Sequence, residues 1–203
     1  MDSEGWDERY SARDYVWSVE PNQFVAEYLA DLPPGDAIDL GAGEGRNAVW
    51  LATRGWRVTA VDFSDVALEK GAALARNHDV DVDFVHHDAT TYDPSEPVDL
   101  VVLSYLQLEP PGRELVLEHA SRWLRPGGTL FVIAHDKANI SDGHGGPSSP
   151  DVCYSVEDTL AAIDPLVATT ATIAERTVDT DDGPRVALDT LVVATAPAES
   201  APR

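Results

Sequence analysis

The sequence predicts an α/β fold with a mostly parallel sheet, helices on both faces and an antiparallel hairpin at its C-terminal end. Short apolar runs alternate with helix-like segments from residue 20 to residue 134, which is typical of parallel sheets. The run Thr129–Ala134 (TLFVIA) is apolar throughout, as expected of a central parallel strand. Two β-rich segments, 166–178 and 185–195, are joined by a short turn and predict a hairpin.

The first elements follow from local signals. Residues 20–31 predict a helix with its apolar side chains on one side, and Pro33-Pro34-Gly35 ends it. A short apolar strand, Ala37–Leu40, comes next, followed by a glycine-rich stretch and a helix that runs through Arg54. Trp56–Val61 predicts the second strand.

The later elements continue the alternation. Ser64 is the predicted N-cap of a helix from Asp65 to about Arg76. Strand-like runs follow at Val82–Val85 and Val98–Leu103. A further helix lies between Gly112 and Leu124, where an Arg-Pro-Gly-Gly turn ends it.

Length and composition predict one cytoplasmic domain over residues 1–203, with a tail at 197–203. No apolar run approaches the roughly 20 residues that span a bilayer. The acidic start MDSEGWDERY lacks the apolar core of an export signal. Cys153 is the only cysteine, so no internal disulfide forms, and we expect it to be a small buried apolar residue.

The net charge of −22 restricts the partners. Such a charge repels phosphate backbones and anionic lipids, so we expect neither nucleic acid nor a membrane surface as a partner. The expected partner is a small-molecule substrate, bound by a monomer or homodimer. The acidic surface has two open explanations, a high-salt cytoplasm that screens it and compositional drift.

The stretch IDLGAGEGRNAVWLA (residues 38–52) is the most informative part of the chain. Gly41, Gly43 and Gly45 stand at every second position between a strand and a helix. A glycine inside regular structure costs roughly 0.5–1 kcal/mol relative to alanine. Three together indicate that a ligand approaches the backbone, and the start of a helix is a natural site for an anion.

Two cofactor classes fit this turn. The dinucleotide pattern G-x-G-x-x-G would need a glycine where this chain has Arg46. Asp62 ends the second strand, 21 positions after Gly41, where a carboxylate can accept hydrogen bonds from ribose hydroxyls in any adenosine cofactor. The glycine spacing therefore favours an adenosine cofactor that is not a dinucleotide.

The same residues carry a resemblance. DLGAGEGRNAVWLATRGWRVTAVDFS resembles the cofactor-binding core of class I S-adenosylmethionine-dependent methyltransferases, in particular the branch of the tellurite-resistance and thiopurine enzymes. The likeness also includes WDERY, YVWSVEPN, WLRPGG and AHDKANISDGHGGP, and so covers nearly the whole chain. It implies a Rossmann-like, seven-stranded sheet, S-adenosyl-L-methionine as cofactor and methyl transfer as the activity.

The resemblance also implies a role for individual residues. Asp39 and the three glycines Gly41, Gly43 and Gly45 would surround the methionine part of the cofactor. Asp62 would hold the ribose, and Phe63 would lie beside the adenine. The remaining positions are Asp88 and Ala89 at the adenine amino group, and Ser104 and Tyr105 near the reacting methyl group.

Simpler roles compete with two of these predictions. Asp39 and Asp62 could instead cap neighbouring helices or turns. The cluster His86-His87-Asp88 could suggest a metal, but successive side chains of a strand point to opposite faces, so we expect no metal site.

Residues 136–151 (DKANISDGHGGPSSPD) contain little that would build a helix or strand, and loops of this length are often functional. We interpret them as a substrate loop, because ligands of open α/β sheets bind at the carboxyl ends of the strands. Its candidate polar contacts are His135, Asp136, Asn139 and His144. The N-terminal segment 1–20, with Tyr10, Tyr15 and Trp17, either covers the site, where Trp17 would contact substrate, or packs on the sheet.

The chemistry of methyl transfer favours a soft nucleophile such as a thiol or chalcogen. An anionic acceptor cancels the positive charge of the cofactor's sulfonium, so orientation and exclusion of water suffice without a base. A neutral alcohol would need a base, for which His135, His144 and Asp136 are the candidates and Tyr105 a further catalytic candidate. The alternative functions are an NAD(P)-dependent oxidoreductase and a non-catalytic cofactor-binding module.

Overall fold

The computed structural model describes residues 3–198. The strands are β1 Asp36–Leu40, β2 Arg57–Asp62, β3 Asp83–His86, β4 Val98–Ser104, β5 Leu124–His135, β6 Val167–Val178 and β7 Arg185–Thr195. The helices are α1 Ser3–Ser11, α2 Gln23–Leu29, α3 Arg46–Thr53, α4 Asp65–Asn77, α5 Pro110–Arg122, α6 Asn139–Asp142 and α7 Val156–Ala162, with a 3₁₀ helix at Pro150–Val152. The strands form one sheet in the order β3-β2-β1-β4-β5-β7-β6. This sheet, with its antiparallel C-terminal hairpin, confirms the predicted fold class.

The first of two compact units, up to Ser104, contains four parallel strands. β1 lies between β2 and β4, and β2 also pairs with β3. The chain passes from β1 to β2 on one side of β1, while β4 lies on its other side. Such a reversal of strand order opens a crevice beyond the carboxyl ends of the strands, and this is where open α/β sheets bind ligands.

The second unit begins at Tyr105 and is built on three strands. β7 is antiparallel to both of its neighbours, β5 and β6. Residues 130–134 of β5 are buried, as their apolar sequence predicts. The registers place Asp189 of β7 opposite His135 of β5 and opposite Ala174 of β6.

Side-chain caps begin three of the helices, and one of these caps is predicted from the sequence. Ser64 accepts a hydrogen bond from the backbone N–H of Ala67 and so caps α4, as predicted. Asn22 caps α2, and Ser155 caps α7. Such caps satisfy N–H groups that the first helical turn leaves without partners.

The start of β5 differs from the prediction. The strand begins at Leu124, whereas the sequence predicts a start at Thr129 after the turn residues. Gly127 N–H donates to the carbonyl of Ala196 (3.0 Å), and Ala196 N–H donates to Gly128 (2.8 Å). These bonds extend β-type pairing through residues that would form a turn if they had no partner.

Two helices and part of a loop were also not predicted. The sequence predicts neither α1 nor α7, and its composition indicates no regular structure for residues 136–151, where the structure has α6 and the start of the 3₁₀ helix. All of these segments are short, so a periodic pattern has little length in which to appear. Of the predicted tail, residues 199–203 lie outside the described residues. Between residues 3 and 198, no helix is both long and apolar enough to cross a membrane.

Candidate functional site

The glycine turn, residues 41–45, follows β1 directly. Gly41, Gly43 and Gly45 all have positive φ angles, of 73°, 54° and 73°, a region that other residues rarely adopt. The N–H groups of Gly41 and Ala42 both donate to the carbonyl of Val61 (2.8 and 3.0 Å), which fixes the turn to the end of β2. Gly45 is the N-cap of α3 and provides no side-chain cap, so the start of this helix suits an anion.

Asp39 lies in β1 just before the glycine turn and is 1% exposed. Its Oδ2 accepts a hydrogen bond from the N–H of Ala48 (3.1 Å), whereas its buried Oδ1 has no partner among the described residues. Burial raises the pKa of Asp39 to about 7, against the opposing effects of the Ala48 N–H and Arg46. A buried carboxylate with one unpaired oxygen is costly unless a cation or donor completes it. The position therefore fits the ammonium group of a bound amino acid.

Asp62 ends β2 and is also buried. Its Oδ2 accepts from the N–H of Gly43 (2.7 Å) and its Oδ1 accepts from the N–H of Ser64 (2.9 Å). Burial raises the pKa of this carboxyl, although the N–H groups of Ser64, Gly43 and Phe63 oppose the shift. Asp62 thus caps the turn, as the simpler alternative predicts, and a carboxylate has about four lone-pair sites, so capacity for a ribose hydroxyl remains.

The other predicted cofactor residues of the first unit follow strand ends. Phe63 comes directly after β2, and its carbonyl accepts a hydrogen bond from Nε2 of His86 (2.9 Å). Asp88 is exposed and accepts through Oδ1 from the N–H and hydroxyl of Thr90, while Ala89 is buried. Ser104 ends β4, and its buried Oγ has no partner among residues 3–198.

The N-terminal segment, residues 3–17, covers the glycine turn. Tyr10 is 5% exposed, and a Cβ added to Gly43 would lie 2.7 Å from its hydroxyl oxygen. Burial, together with the neighbouring Asp62, raises the pKa of Tyr10, so its hydroxyl stays protonated. Tyr10 therefore lies against the glycine turn, and covering of a bound cofactor by this segment stays a prediction.

Glu44 and Lys70 hold that segment in place. The Glu44 side chain is buried, accepts from the N–H groups of Val16 and Trp17, and forms an ion pair with Lys70 (3.1 Å). Lys70 Nζ also donates to the carbonyls of Tyr10 (2.5 Å) and Arg13 (2.6 Å).

Trp17 is 42% exposed, and the guanidinium of Arg9 lies over its ring at 5.3 Å from the centroid. The Trp17 ring is therefore partly open to a substrate, and its backbone is fixed by Glu44.

In the second unit, four side chains form what we call the Asp189 cluster. Its members are Tyr105, His135, Arg176 and Asp189. Asp189 Oδ2 accepts from the hydroxyl of Tyr105 and from Nε of Arg176, both at 2.7 Å. Nδ1 of His135 lies 3.2 Å from Oδ1 of Asp189, and the ring of His135 lies 4.8 Å from that of Tyr105. Tyr105 and His135, which the sequence predicts as site residues, thus lie together. The other two members, Arg176 and Asp189, are not predicted from the sequence.

The charges of the Asp189 cluster compensate one another. Burial alone would raise the pKa of Asp189, but His135, Arg176 and Tyr105 together lower it below its usual range. Burial and the Asp189 charge raise the pKa of Tyr105. Asp189 is therefore ionised near neutral pH, and the Tyr105 hydroxyl is a neutral donor.

Asp136 and Asn139, which the sequence predicts as substrate contacts, make hydrogen bonds within the second unit, and the substrate contacts stay a prediction. Both are 3% exposed. Asp136 accepts from the N–H of Ala138 (2.8 Å) and the hydroxyl of Thr190 (2.6 Å). Asn139 accepts from the N–H of Leu188 (2.8 Å) and donates to the carbonyl of Gly145 (2.8 Å). These bonds hold the 136–151 loop against β7. Anchors of this kind keep a loop in one conformation.

His144 is exposed and belongs to a different part of the second unit. It lines a surface depression of about 550 Å³ together with residues 180–182 of the β6–β7 turn and with Arg185 and Val186 at the start of β7. The lining of this depression includes neither Tyr105 nor His135. The structure therefore does not group His144 with the other two catalytic candidates.

Two further sequence expectations concern metal and thiol chemistry. Within the described residues, no three His, Cys, Asp or Glu side chains are grouped as metal ligands. Cys153 is fully buried, as predicted, and burial raises the pKa of its thiol.

Sequence reasoning missed Glu44, Lys70, Arg176 and Asp189. Signals for two of them exist in the sequence. Asp189 interrupts the otherwise apolar and small-residue run RVALDTLVVAT, and Lys70 is one of only two lysines in a strongly acidic chain. A charged residue inside a buried strand needs a partner, because an isolated buried charge is very unfavourable.

The chain matches the methyltransferase domain family over residues 37–128. It is 27% identical over 152 residues to a probable thiol methyltransferase 2 of Arabidopsis thaliana, covering 71% of this chain and 66% of that protein. It is 32% identical over 120 residues to a demethylmenaquinone methyltransferase of Clavibacter sepedonicus, covering 59% and 47%. The chain thus spans about two thirds of the first relative and about half of the second.

A similar solved structure is the N-methyltransferase NodS from Bradyrhizobium japonicum WM9 in complex with S-adenosyl-L-homocysteine. Its TM-score is 0.75 at 15% identity, covering 96% of this chain and 98% of that one. At this identity the likeness shows the fold alone.

The matched domain spans just under half of this chain, and together with the relatives and the fold it supports a class I S-adenosylmethionine-dependent methyltransferase. It is similar to the branch of the thiopurine enzymes, and its cofactor is S-adenosyl-L-methionine. The resemblance and the cofactor predicted from the sequence are confirmed. These findings do not support the alternative function, an NAD(P)-dependent oxidoreductase.

Proposed function

We propose that the protein transfers the methyl group of S-adenosyl-L-methionine to a small molecule through a soft nucleophilic atom, a thiol or another chalcogen. The observation that carries the donor side of this proposal is the buried, unpaired Oδ1 of Asp39 beside the glycine turn. When bound, the cofactor supplies an electrophilic methyl group on a positively charged sulfur.

In this proposal, different residues of the first unit bind different parts of the cofactor. Asp39 accepts from the ammonium group, and the start of α3, whose N-cap residue Gly45 has no side chain, binds the carboxylate. The methionine part approaches the backbone of the glycine turn, where Tyr10 already lies against Gly43 and Phe84 against Gly45. Asp62 accepts from the ribose hydroxyls through its remaining lone pairs. The residues assigned to the adenine are Phe63, Asp88 and Ala89.

Tyr10 excludes water from the same place. Its buried ring lies on Gly43, and its segment is held by Glu44 and Lys70. Excluding water strengthens each electrostatic contact to a charged cofactor, because the local dielectric constant falls.

Two arguments support a soft acceptor. The first is chemical: a thiolate or selenide cancels the sulfonium charge as the new bond forms, and this is favoured where water is excluded. The second is the relative that is named as a probable thiol methyltransferase. The net charge of −22 disfavours nucleic acid as the acceptor, because like charges repel.

The experiment measures release of S-adenosyl-L-homocysteine from purified protein with a panel of small acceptors. The panel contains an alkyl thiol, hydrosulfide, hydrogen selenide, a primary amine, a carboxylate and a quinol. We expect turnover with the sulfur and selenium acceptors to exceed that with the others by about tenfold or more. Turnover confined to the amine, carboxylate or quinol would overturn the choice of acceptor. Cofactor binding without release in any reaction would overturn the transferase proposal and favour a binding module.

A further inference from the structure

The Asp189 cluster contains a histidine and a carboxylate that the antiparallel register of β5 and β7 places opposite each other. Directly opposed residues on neighbouring strands have side chains within contact distance. Arg176 lies two residues beyond Ala174, which is itself opposite Asp189, so it reaches the same carboxylate diagonally. The pairing of three strands, rather than a flexible loop, therefore fixes the acid, the histidine and the arginine.

The two ring nitrogens of His135 have different surroundings. Nδ1 is buried and lies 3.2 Å from Oδ1 of Asp189. The His135 side chain is 13% exposed, and its Nδ1 lies beside Asp189 as a close charge contact that does not meet hydrogen-bond geometry. A carboxylate beside Nδ1 favours the proton on that nitrogen, which leaves the lone pair of a neutral imidazole on Nε2.

Other contacts fix the orientation of the ring. A Cβ added to Gly146 would lie within 2.9 Å of Nδ1, so the backbone of the 136–151 loop packs directly against the imidazole. On another side, Tyr105 stands 4.8 Å away, with its hydroxyl bound to Asp189. Tyr105 has a φ of +57°, an unusual conformation for a tyrosine. Strain of this kind persists only where surrounding contacts over-determine it, and it is concentrated at functional sites.

We propose that Asp189 is a positioning residue that holds His135 with its proton on Nδ1, so that Nε2 takes the proton of the acceptor thiol. This inference rests on the proposed function and adds the proton acceptor to it. As the S–H bond breaks, its proton moves to Nε2 and its electron pair stays on the acceptor sulfur. That sulfur forms the new bond to the methyl carbon, and the pair of the broken carbon–sulfur bond remains on the departing neutral thioether. His135 then returns the proton to water.

The roles of the four cluster members follow from this assignment. Asp189 stabilises the imidazolium that forms, as the acid of a carboxylate–histidine pair does. Arg176 balances the buried carboxylate while His135 is neutral, which keeps Asp189 ionised. Tyr105 and Nε of Arg176 donate to Oδ2 of Asp189, while Oδ1 lies beside His135 and accepts only a long hydrogen bond from Nη2 of Arg176 (3.5 Å). The base-free mechanism that the sequence predicts is the alternative.

The test compares two thiols with different acidity. An alkyl thiol is protonated at neutral pH and needs a base, whereas a perfluorinated aromatic thiol is already ionised. We expect His135→Gln to lower kcat/KM for the alkyl thiol about 100-fold or more, with less than a tenfold loss for the aromatic thiol. Asp189→Asn should show the same selectivity with a smaller loss, and the exposed Asp158→Asn is the matched control. Equal losses for both thiols in His135→Gln would overturn the role as a base.

A second measurement does not depend on turnover. Nitrogen-15 chemical shifts of the His135 ring report which nitrogen carries the proton. We expect the Nδ1–H tautomer in the wild-type protein and a shift toward the Nε2–H tautomer in Asp189→Asn. A wild-type Nε2–H tautomer would overturn the positioning role of Asp189. If the wild-type protein methylates neither thiol, the proposed acceptor fails, while this measurement still decides the tautomer.

Discussion

Asp39 in the first unit and Asp189 in the second are both buried carboxylates, 1% and 0% exposed, yet their surroundings are opposite. Asp39 receives one backbone N–H and keeps an unpaired oxygen, and its pKa rises to about 7. Asp189 has an arginine, a tyrosine hydroxyl and a histidine around it, and its pKa falls.

The difference separates two uses of a buried acid. An uncompensated carboxylate is unfavourable by itself and becomes favourable when a positively charged ligand arrives. A compensated carboxylate is already complete, so it organises the side chains around it. We therefore expect Asp39 to matter for cofactor affinity and Asp189 to matter for stability and for the geometry of the acceptor side.

The largest expected effect comes from removing the compensated acid. Asp189→Ala leaves Arg176 without its carboxylate partner, and breaking a buried pair from one side costs about 3–5 kcal/mol of unfolding free energy. Urea denaturation measures the change. The control is Asp158→Ala, whose acid forms an exposed ion pair with Lys137 and should contribute little. Equal effects of the two substitutions would contradict the comparison.

The second-largest effect on the unfolding free energy is expected at Gly45, in the glycine turn that follows Asp39. Gly45→Ala adds a Cβ that would lie 2.9 Å from Phe84, at a φ of +73°. Gly145 has a φ of +75° with nothing within 4 Å of its added Cβ, so Gly145→Ala isolates the cost of the backbone angle. We expect Gly145→Ala to cost about 1 kcal/mol and Gly45→Ala about 1–3 kcal/mol more, as overpacking does. Equal unfolding free energies for the two variants would show that the close contact carries no cost.

A smaller effect concerns the affinity of Asp39 for the cofactor. Asp39→Asn keeps an acceptor for the Ala48 N–H but loses the charge that would pair with the ammonium group. We expect the Kd for S-adenosyl-L-methionine to rise about tenfold to 100-fold. This range corresponds to the loss of one hydrogen bond to a charged group, which contributes about 1.5–3 kcal/mol. Isothermal titration calorimetry measures the change, and an unchanged Kd would contradict the assignment.

The titration of Asp39 should also make binding of S-adenosyl-L-methionine depend on pH. The pKa of Asp39 is about 7 without cofactor, and a bound ammonium group would lower it. Binding by the wild-type protein should therefore weaken as pH falls below 7 and level off above it. Asp39→Asn should be flat over the same range, and matching slopes in both proteins would contradict this prediction.

The smallest effect has the opposite sign. Without cofactor, the pKa of Asp39 in the folded state lies above its ordinary value of 3.8, so its ionisation removes stability as pH rises from about 4 to 7. Asp39→Asn should therefore raise the Tm by a few degrees at pH 8, where about 1 kcal/mol corresponds to 2–4 °C. The gain should vanish at pH 4. A lower Tm at pH 8 would mean that Asp39 is not an uncompensated charge.

Much of the first unit could be predicted from the sequence because its signals are local. The glycine turn needs residues with positive φ between β1 and α3, and Ser64 caps the helix that follows it in the chain. Asp39 precedes the turn and Asp62 ends the next strand, so a short stretch of chain carries the whole pattern. Its parallel strands then bring their carboxyl ends to one edge of the sheet.

The second unit was predicted less completely. Its hairpin is visible as two β-rich segments and a turn, but periodicity does not set the register of either strand. The Asp189 cluster joins β5, β6, β7 and Tyr105, and the hydrogen bond from Tyr105 to Asp189 connects residues 84 positions apart. The contact of Tyr10 with the glycine turn also depends on residues distant in the chain. Lys70, which holds Tyr10 in place, lies 60 residues away.

The sequence by itself determined the order of strands and helices, the glycine turn and the class of cofactor, because φ angles, caps and apolar periodicity act over a few neighbouring residues. The tertiary structure alone decided which buried acid is left unpaired and which is neutralised. That choice depends on the pairing of strands distant in the chain, because only the final register shows which charges meet.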